Sequence, residues 1–289
     1  MRRLPEIFQE KQKTFSFELF PPKTEQGYAN LLLTIAQLAE LKPDFISCTY
    51  GAGGGNRDKT FEIAQHIQDK HGIPAVAHLT CVLNTQTQIK DILDDIHRRG
   101  LRNILALRGD PPIDNPHWTP GPQNFRYSYE LCRFIRQYFN DDFGIGVAGF
   151  PEGHPACPSI ERDAFYLKNK LQNGGDFVIT QLFLDNQYYF HYVRRLTDIG
   201  VTAKIIPGVL PIANYNRILE FSKKDGVTIP DKVKKIFEPI KDDPEKTLEA
   251  GKAFAIEQCK DLLQGGAPGI HFYTLNKYQP VADILKEIK

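Results

Sequence analysis

Short apolar segments alternate with amphipathic segments along the chain, and this alternation most constrains the fold. Eight segments have the apolar, β-rich composition of buried strands, and many of them end in polar residues or glycine. They span residues 14–20, 44–50, 75–81, 103–109, 144–150, 176–184, 204–210 and 269–275. Most of their starts lie about 28–32 residues apart, which is the length of a β-α repeat.

Helical periodicity occupies most of the intervals between these strands. The helical stretches span 29–41, 60–70, 85–99, 129–138, 160–173, 187–199 and 245–264. Strand–helix alternation predicts a parallel sheet with helices packed outside it. Eight such units predict an α/β fold with a closed (β/α)8 TIM barrel as a single domain over residues 1–289.

Three regions fall outside the regular repeat. Residues 1–13 are expected to form an N-terminal extension. The interval 110–143 opens with a proline-rich stretch, which predicts a long loop after strand 4. The interval 211–268 predicts two or three helical stretches, with breaks at Pro230 and Pro244. Long loops in a compact domain are often functional.

Composition narrows the class of protein. The 289 residues include 36 Lys and Arg against 35 Asp and Glu, a net charge of +1 that argues against nucleic-acid or polybasic membrane partners. The five cysteines contain no C-x-x-C pair, as expected of reduced thiols. We find neither a signal-peptide pattern nor a run of about 18 apolar residues. We therefore expect a soluble, cytoplasmic protein.

Active sites of such barrels lie at the C-terminal ends of the strands. In strand 1, Phe15, Phe17 and Leu19 alternate with polar positions, so if the apolar set faces the helices, Glu18 points into the lumen. A buried carboxylate needs partners or a raised pKa, and a raised pKa suits a proton donor. A structural Glu18 paired with a lumen arginine such as Arg108 is the alternative.

Strand 4 ends in Arg108-Gly109-Asp110, a cation and a carboxylate at one strand end. Anion or cofactor binding by Arg108 and electrostatic work by Asp110 is one interpretation. The other is a mutual ion pair.

Two weaker signals support no site of their own. The loop GAGGGN after strand 2 departs from G-x-G-x-x-G at its last position, so a dinucleotide-binding fingerprint is excluded. His78 and His154 could bind a metal, but they lack the spacing of known metal motifs, and we expect no metal.

Eight blocks of sequence together resemble the methylenetetrahydrofolate reductase family. In chain order they are FSFELFPPKT, TYGAGGGNRDKT, AHLTC, LALRGDPP, VAGFPEGHP, DFVITQLFLD, PGVLPI and HFYTLN. They run from about residue 15 to about residue 277, and most lie at predicted strand ends. The resemblance is to the catalytic barrel alone, so feedback by S-adenosylmethionine is not expected.

The resemblance implies an oxidoreductase of one-carbon metabolism and methionine synthesis. It implies FAD at the C-terminal mouth of the barrel, and ping-pong hydride transfer from NAD(P)H through the flavin to methylenetetrahydrofolate. Glu18 would be the general acid that protonates N10 of the folate. Asp110 would stabilise positive charge near the flavin and pterin. Gln181 would hydrogen-bond the pterin, and Phe221 would stack on substrate or nicotinamide.

The resemblance also implies the residues that contact FAD and the folate. The positions implied for FAD are Thr49, Tyr50, Ala52, His78, Arg108, Gly109, Asp110, Tyr127, Ala148, Phe150, His154, Asp163 and Lys170. Arginine and lysine among them suit the pyrophosphate. Three positions depart from the family pattern: Phe150 replaces a common tyrosine, Lys277 a common arginine, and Arg217 a glutamine of some relatives.

Two other functions remain open at this point. A lyase or aldolase on the same barrel would need a Schiff-base lysine within a strand or a metal cluster, and the predicted strand interiors offer no lysine. A non-catalytic subunit would not need Glu18, Asp110 and Gln181 together. No motif separates NADH from NADPH; NADH is expected from the similarity to short bacterial forms. A homo-oligomer is the usual expectation for such enzymes.

Overall fold

The computed structural model describes residues 1–50, 57–111, 115 and 117–289. Nine parallel strands form one sheet in these residues, in the order β7-β6-β5-β4-β3-β2-β1-β9-β8. The strands are β1 (Thr14–Leu19), β2 (Phe45–Cys48), β3 (Ala75–Thr80), β4 (Asn103–Leu107), β5 (Gly144–Gly149), β6 (Phe177–Thr180), β7 (Lys204–Ile206), β8 (Gly208–Val209) and β9 (Gly269–Tyr273).

The predicted seventh strand is divided at Pro207 into β7 and β8. Strand β7 pairs with β6, and β8 pairs with β9, so one broken strand joins the two edges of the sheet. Proline has no N–H to donate to a neighbouring strand, which explains the break. Its carbonyl accepts a hydrogen bond from His271 N at 2.9 Å. The barrel is thereby closed, and the predicted (β/α)8 fold is confirmed.

Helices lie before, between and after the strands, and most of them cover the outside of the barrel. They are α1 (Leu4–Glu10), α2 (Glu25–Glu40), α3 (Arg57–His71), α4 (Gln86–Arg98), α5 (Ser128–Phe139), α6 (Ile160–Gln172), α7 (Asn186–Asp198), α8 (Tyr215–Asp225), α9 (Asp231–Phe237), α10 (Pro244–Gln264) and α11 (Gln279–Ile288). A 3₁₀ turn, Glu238–Ile240, follows α9. Several helices begin at a capping side chain; Thr85, for example, accepts from Gln88 N in a capping box.

The largest apolar core lies between the sheet and the helices. Phe17 and Leu19 of β1 are fully buried in it, with Phe15 packed against its edge. The intervening residues of the strand, Ser16 and Glu18, therefore face the lumen. This confirms the orientation of Glu18 that the alternation of β1 predicts.

Residues 1–13 close the lower end of the barrel. Leu4, Ile7 and Phe8 of α1 pack against apolar residues that point into the lumen, including Phe45 and Phe177. Both of these phenylalanines are the first residues of their strands, so α1 lies at the N-terminal end of the barrel. The predicted extension is thus a plug, which leaves the opposite end for the site.

Candidate active site

Glu18 lies in the upper lumen between two buried histidines from other strands. Its Oε2 is 3.4 Å from His78 Nε2 on β3 and 3.6 Å from His271 Nε2 on β9. The Glu18 side chain keeps 18% of its exposure. Glu18 therefore pairs with imidazoles, not with the arginine that the structural alternative requires.

His271 is a site residue that the sequence analysis missed. It is fully buried, its Nδ1 lies 2.8 Å from Ser16 Oγ, and its Nε2 lies 3.3 Å from Ser47 Oγ. The ring stacks on Phe45 at 5.6 Å between centroids. The signal was present: Ile270 and Phe272 alternate with His271 and Tyr273 along β9, as the two residue sets alternate along β1.

Of the two alternatives for a buried carboxylate, partners or a raised pKa, the structure shows partners for Glu18. Burial alone, the largest influence, would raise the pKa, but the neighbouring His271 imidazole, the charge of His78 and the Ser47 hydroxyl together outweigh it. The pKa of Glu18 therefore lies below its ordinary value. Burial in turn lowers the pKa of His78, against the opposing pull of Glu18.

A cavity of about 280 Å³ opens directly above Glu18. Its lining residues come from the C-terminal ends of the strands and from α8, as the fold predicts. They are Glu18, Phe20, Gln181, Leu182, Leu210, Phe221, Asp225, Tyr273, Thr274 and Leu275. The structure thus brings together Glu18, Gln181 and Phe221, three of the residues that the resemblance implied.

Two further lining residues, Asp225 and Tyr273, were not among the predicted site residues. The Tyr273 hydroxyl donates to Thr180 O at 2.6 Å, and burial raises the pKa of this phenol well above its ordinary value. Burial also raises the pKa of Asp225 at the end of α8, and the negative charge of Asp110 adds to the effect. Asp110 therefore lies within electrostatic reach of the cavity, although it does not line it.

A second cluster surrounds Lys170 of α6, beside the end of β5. Lys170 Nζ donates to Ala148 O at 2.8 Å and lies 5.8 Å from the centre of the Phe150 ring. The His154 ring meets Phe150 edge-on at 4.7 Å. Burial lowers the pKa of Lys170 and raises that of Asp163, and each charge opposes the shift of the other. Five residues implied for FAD are thus close together.

The positive charge of Arg108 acts on His154 in the Lys170 cluster. Burial lowers the pKa of His154, and the positive charges of Arg108 and Lys170 lower it further, whereas Asp110 opposes them. Arg108 and Asp110 are both exposed, and no ion pair joins them among the described side chains. Gly109 has a φ of 82°, and a Cβ there would lie 2.6 Å from Val82. The strand end is therefore tightly packed, with both charged groups turned outward.

The remaining predicted residues do not line the cavity. Tyr50 is buried against Phe61 of α3, with ring centroids 6.2 Å apart, and burial raises its pKa to about 12. Thr49 donates its N–H to Leu19 O at 2.9 Å. Tyr127 is exposed and stacks on Tyr129. Arg217 and Lys277 are exposed. Ala52 and the glycine loop 51–56 lie outside the described residues.

Glu152, in the loop after β5, holds the segment that follows α8. Its Oε2 accepts a hydrogen bond from Thr228 N at 3.0 Å, while Oε1 is buried without a hydrogen-bond partner among the described residues. Burial raises the pKa of this carboxyl, despite the hydrogen bond from Thr228. The contact ties α8, with Phe221 and Asp225, to the loop that carries His154.

We expect Glu152→Gln to stabilise the fold slightly near neutral pH. Because the folded-state pKa of Glu152 is raised, its contribution to stability is complete at low pH and is lost as the pH rises through that pKa. Glutamine removes this dependence and keeps an acceptor for Thr228. Glu152→Ala should instead lose about 1 kcal/mol, because the Thr228 N–H loses its acceptor. Thermal unfolding of both variants across pH checks this; a lower Tm for Glu152→Gln would contradict it.

Two absences concern only the part of the chain that the structure describes. There, no helix combines the length and apolar character needed to cross a membrane. Nor do three or more His, Cys, Asp or Glu side chains gather in a group that could hold a metal ion.

Solved structures support the fold. An uncharacterized protein from Clostridium thermocellum, described as binding two copies of 5-methyl-5,6,7,8-tetrahydrofolic acid, superposes with a TM-score of 0.67. The match covers 99% of this chain and 97% of that protein at 16% identity. At that identity the likeness shows a common fold and no more.

Two relatives share more of their sequence with this chain. The chain is 37% identical over 295 residues to methylenetetrahydrofolate reductase (NADH) 1 of Arabidopsis thaliana, covering 99% of this chain and 50% of the relative. It is 37% identical to the 5,10-methylenetetrahydrofolate reductase of Escherichia coli strain K12, covering 92% of this chain and 87% of the relative. The chain thus spans about half the length of its plant and fission-yeast relatives and most of the bacterial one.

The family model for methylenetetrahydrofolate reductase matches residues 3–289, so it includes the α1 plug, every strand of the barrel and the cavity above Glu18. The chain belongs to the methylenetetrahydrofolate reductase family.

Proposed function

We propose that the chain reduces 5,10-methylenetetrahydrofolate to 5-methyltetrahydrofolate, with FAD as cofactor and NADH as electron donor. The observation that carries the proposal is the cavity above Glu18, which combines a carboxyl group, the Gln181 amide and the Phe221 ring. A proton donor, a hydrogen-bonding amide and an aromatic face are the groups that a pterin-reducing site needs.

The cavity suits a flat, polar ring system. Phe221 offers a face for stacking, and Gln181 offers both a donor and an acceptor to a pterin edge. The Gln181 Oε1 atom accepts from Leu182 N at 2.9 Å, which fixes the orientation of the amide. Arg217 and Lys277 are exposed in the segments that follow β8 and β9, where their positive charges can attract the glutamate carboxylates of a folate. The Clostridium thermocellum protein of the same fold is described as binding 5-methyl-5,6,7,8-tetrahydrofolic acid.

The residues at the barrel mouth fit FAD. His78 Nε2 and Thr80 Oγ1 are buried, and apart from the 3.4 Å contact of His78 Nε2 with Glu18 neither atom has a hydrogen-bond partner among the described residues. Buried polar atoms of this kind usually have a partner in the functional complex. Lys170 and Arg108 supply positive charge beside His154 for a pyrophosphate. We assign His78, Arg108, His154 and Lys170 to holding FAD.

Bound FAD would supply two-electron chemistry, accepting a hydride from the nicotinamide and giving one to the folate. The protein supplies the proton. Glu18 donates it to N10 of the folate, which opens the five-membered ring and leaves an iminium that can accept hydride. The pKa of Glu18 is lowered in a structure in which its side chain is still partly exposed to the cavity. A folate that covers the cavity excludes water from Glu18 and raises its pKa toward the range of a useful acid.

Asp110→Asn is expected to slow folate reduction by at least about tenfold, and to slow flavin reduction by nicotinamide much less. The substitution removes a negative charge within reach of the cavity, where positive charge develops on the opened folate. Stopped-flow measurement of each half-reaction checks this, with Asp91→Asn on the exposed face of α4 as the control. Equal slowing of both half-reactions would indicate a structural role only.

Relatives differ in the electron donor that their names give, NADH for Arabidopsis thaliana and NADPH for Caenorhabditis elegans. The first test is a visible spectrum of the protein incubated with FAD and then desalted. We expect about one retained FAD per chain and faster bleaching by NADH than by NADPH. A folded, colourless protein would overturn the flavin proposal, and faster bleaching by NADPH would overturn the choice of donor.

A further inference from the structure

The lumen beside and below Glu18 holds a buried polar unit. Its members are Ser16, Ser47 and His271, all fully buried and supplied by β1, β2 and β9. Directly beneath them the lumen is filled by apolar residues such as Phe45 and Val76, against the α1 plug. A buried imidazole in such surroundings is costly unless its ring nitrogens have partners. This cost indicates that the three residues have a function.

The unit holds His271 in one orientation. Ser16 Oγ contacts Nδ1 at 2.8 Å, and the flat face of the ring rests on Phe45. These contacts direct Nε2 upward, where Ser47 Oγ lies at 3.3 Å and Glu18 Oε2 at 3.6 Å. Because Ser16 can hydrogen-bond with Nδ1, Nε2 is available for contacts with Glu18 and Ser47.

We propose that His271, oriented by Ser16 and assisted by Ser47, is a positioning residue that holds the carboxyl group of Glu18 toward the cavity and stabilises its charge after proton donation. The inference rests on the proposed function, in which Glu18 is the proton donor.

The proton step balances without another protein group. When Glu18 protonates the folate, its O–H bond breaks, an N–H bond forms at N10, and a carboxylate remains beside His271 and Ser47. These two polar side chains stabilise that charge. Because His271 is fully buried whereas Glu18 keeps 18% of its side-chain exposure, water entering through the cavity returns the proton to Glu18.

The groups around Glu18 determine the sign of the expected effect. Those that face it or lie within electrostatic reach are His78, His271, Ser47, Tyr273, Cys48 and, across the cavity, Asp225. Both histidines and Ser47 lower the pKa of Glu18, whereas burial raises it. Loss of His271 removes one lowering influence, so Glu18 should keep its proton to higher pH.

The test compares His271→Gln, which keeps an amide near the position of Nε2, with His271→Asn, which is too short to reach it. The rate of folate reduction is measured against pH and should fall as Glu18 ionises. We expect this falling limb to move upward by about one pH unit in His271→Asn and by less in His271→Gln. Cys132→Ala, in the outer core, is the control for loss of buried volume.

A second readout does not depend on turnover. The carboxyl stretch of protonated Glu18 is followed by infrared difference spectroscopy across pH, with Glu18→Gln identifying the band. Ser47→Ala, which removes a single hydroxyl group, serves as a second variant in case the His271 variants do not fold. It should move the titration of the same band to higher pH, by a smaller amount.

The outcomes separate the inference from the function on which it rests. The role of His271 would be overturned if neither the pH dependence of folate reduction nor the pH dependence of the Glu18 band shifted in any variant. A shifted band in a protein that does not reduce the folate would support the coupling of His271 to Glu18 and overturn the proposed function. Shifts in both readouts, larger for His271→Asn than for His271→Gln and absent in Cys132→Ala, would support both.

Discussion

Glu18→Gln is expected to lower the rate of folate reduction by about 10²–10⁴-fold, the usual contribution of a positioned general acid. The amide has nearly the same shape as the carboxyl group and can keep contacts with His78 and His271, but it has no proton to donate to the folate. Flavin reduction by NADH needs no proton from Glu18 and should stay within about threefold of the wild-type rate. The substitution should therefore separate the two half-reactions.

Rapid mixing of the reduced protein with methylenetetrahydrofolate, in the absence of oxygen, measures the affected step. Glu25→Gln, at the exposed start of α2, is the matched control and should behave as wild type. Wild-type folate reduction by Glu18→Gln would show that the proton comes from elsewhere. Equal loss of flavin reduction would assign Glu18 to FAD binding instead.

Phe8→Ala should destabilise the barrel by about 3–5 kcal/mol, the range for removing a large aromatic side chain from a core. Phe8 is the residue of α1 that reaches two lumen aromatics, with ring centroids 5.2 Å from Phe177 and 6.2 Å from Phe45. Its loss leaves a void at the closed end of the barrel. Denaturant unfolding measures the change in the free energy of unfolding.

The control is Phe165→Ala on α6, where the ring is 57% exposed. This variant should change stability by no more than about 0.5 kcal/mol. Equal, small effects of the two substitutions would mean that α1 does not stabilise the barrel. Because Phe45 also supports the His271 ring, Phe8→Ala is expected to weaken the site as well, which folate binding can measure.

The strand pattern made the barrel predictable, because each parallel strand is a short apolar run before a helix. Strand limits were harder to predict. The predicted sixth strand extends to residue 184, but β6 ends at Thr180, where the chain turns toward the cavity with Gln181. The terminal helices α1 and α11 were missed. With only 7 and 10 residues, they give a weak periodic signal, and their packing partners lie far away in sequence.

The site was partly predictable for the same physical reason. Two-residue alternation along β1 fixes the direction of Glu18, and this is local information. The pKa of Glu18 depends on His78 and His271, which reach it only when distant strands are placed around the barrel. Burial could be inferred from β1 alone, whereas the two opposing imidazoles could not. Hence the direction of Glu18 was predicted correctly, whereas the two histidines beside it, and with them the lowered pKa, were not.

Product analysis tests most directly whether the chain reduces a folate in the cavity above Glu18. The protein loaded with FAD is given NADH and methylenetetrahydrofolate without oxygen, and the folates are separated by chromatography. We predict 5-methyltetrahydrofolate in an amount equal to the NADH consumed, over many turnovers. NADH oxidation without any 5-methyltetrahydrofolate, by a protein that retains its flavin, would contradict the claim.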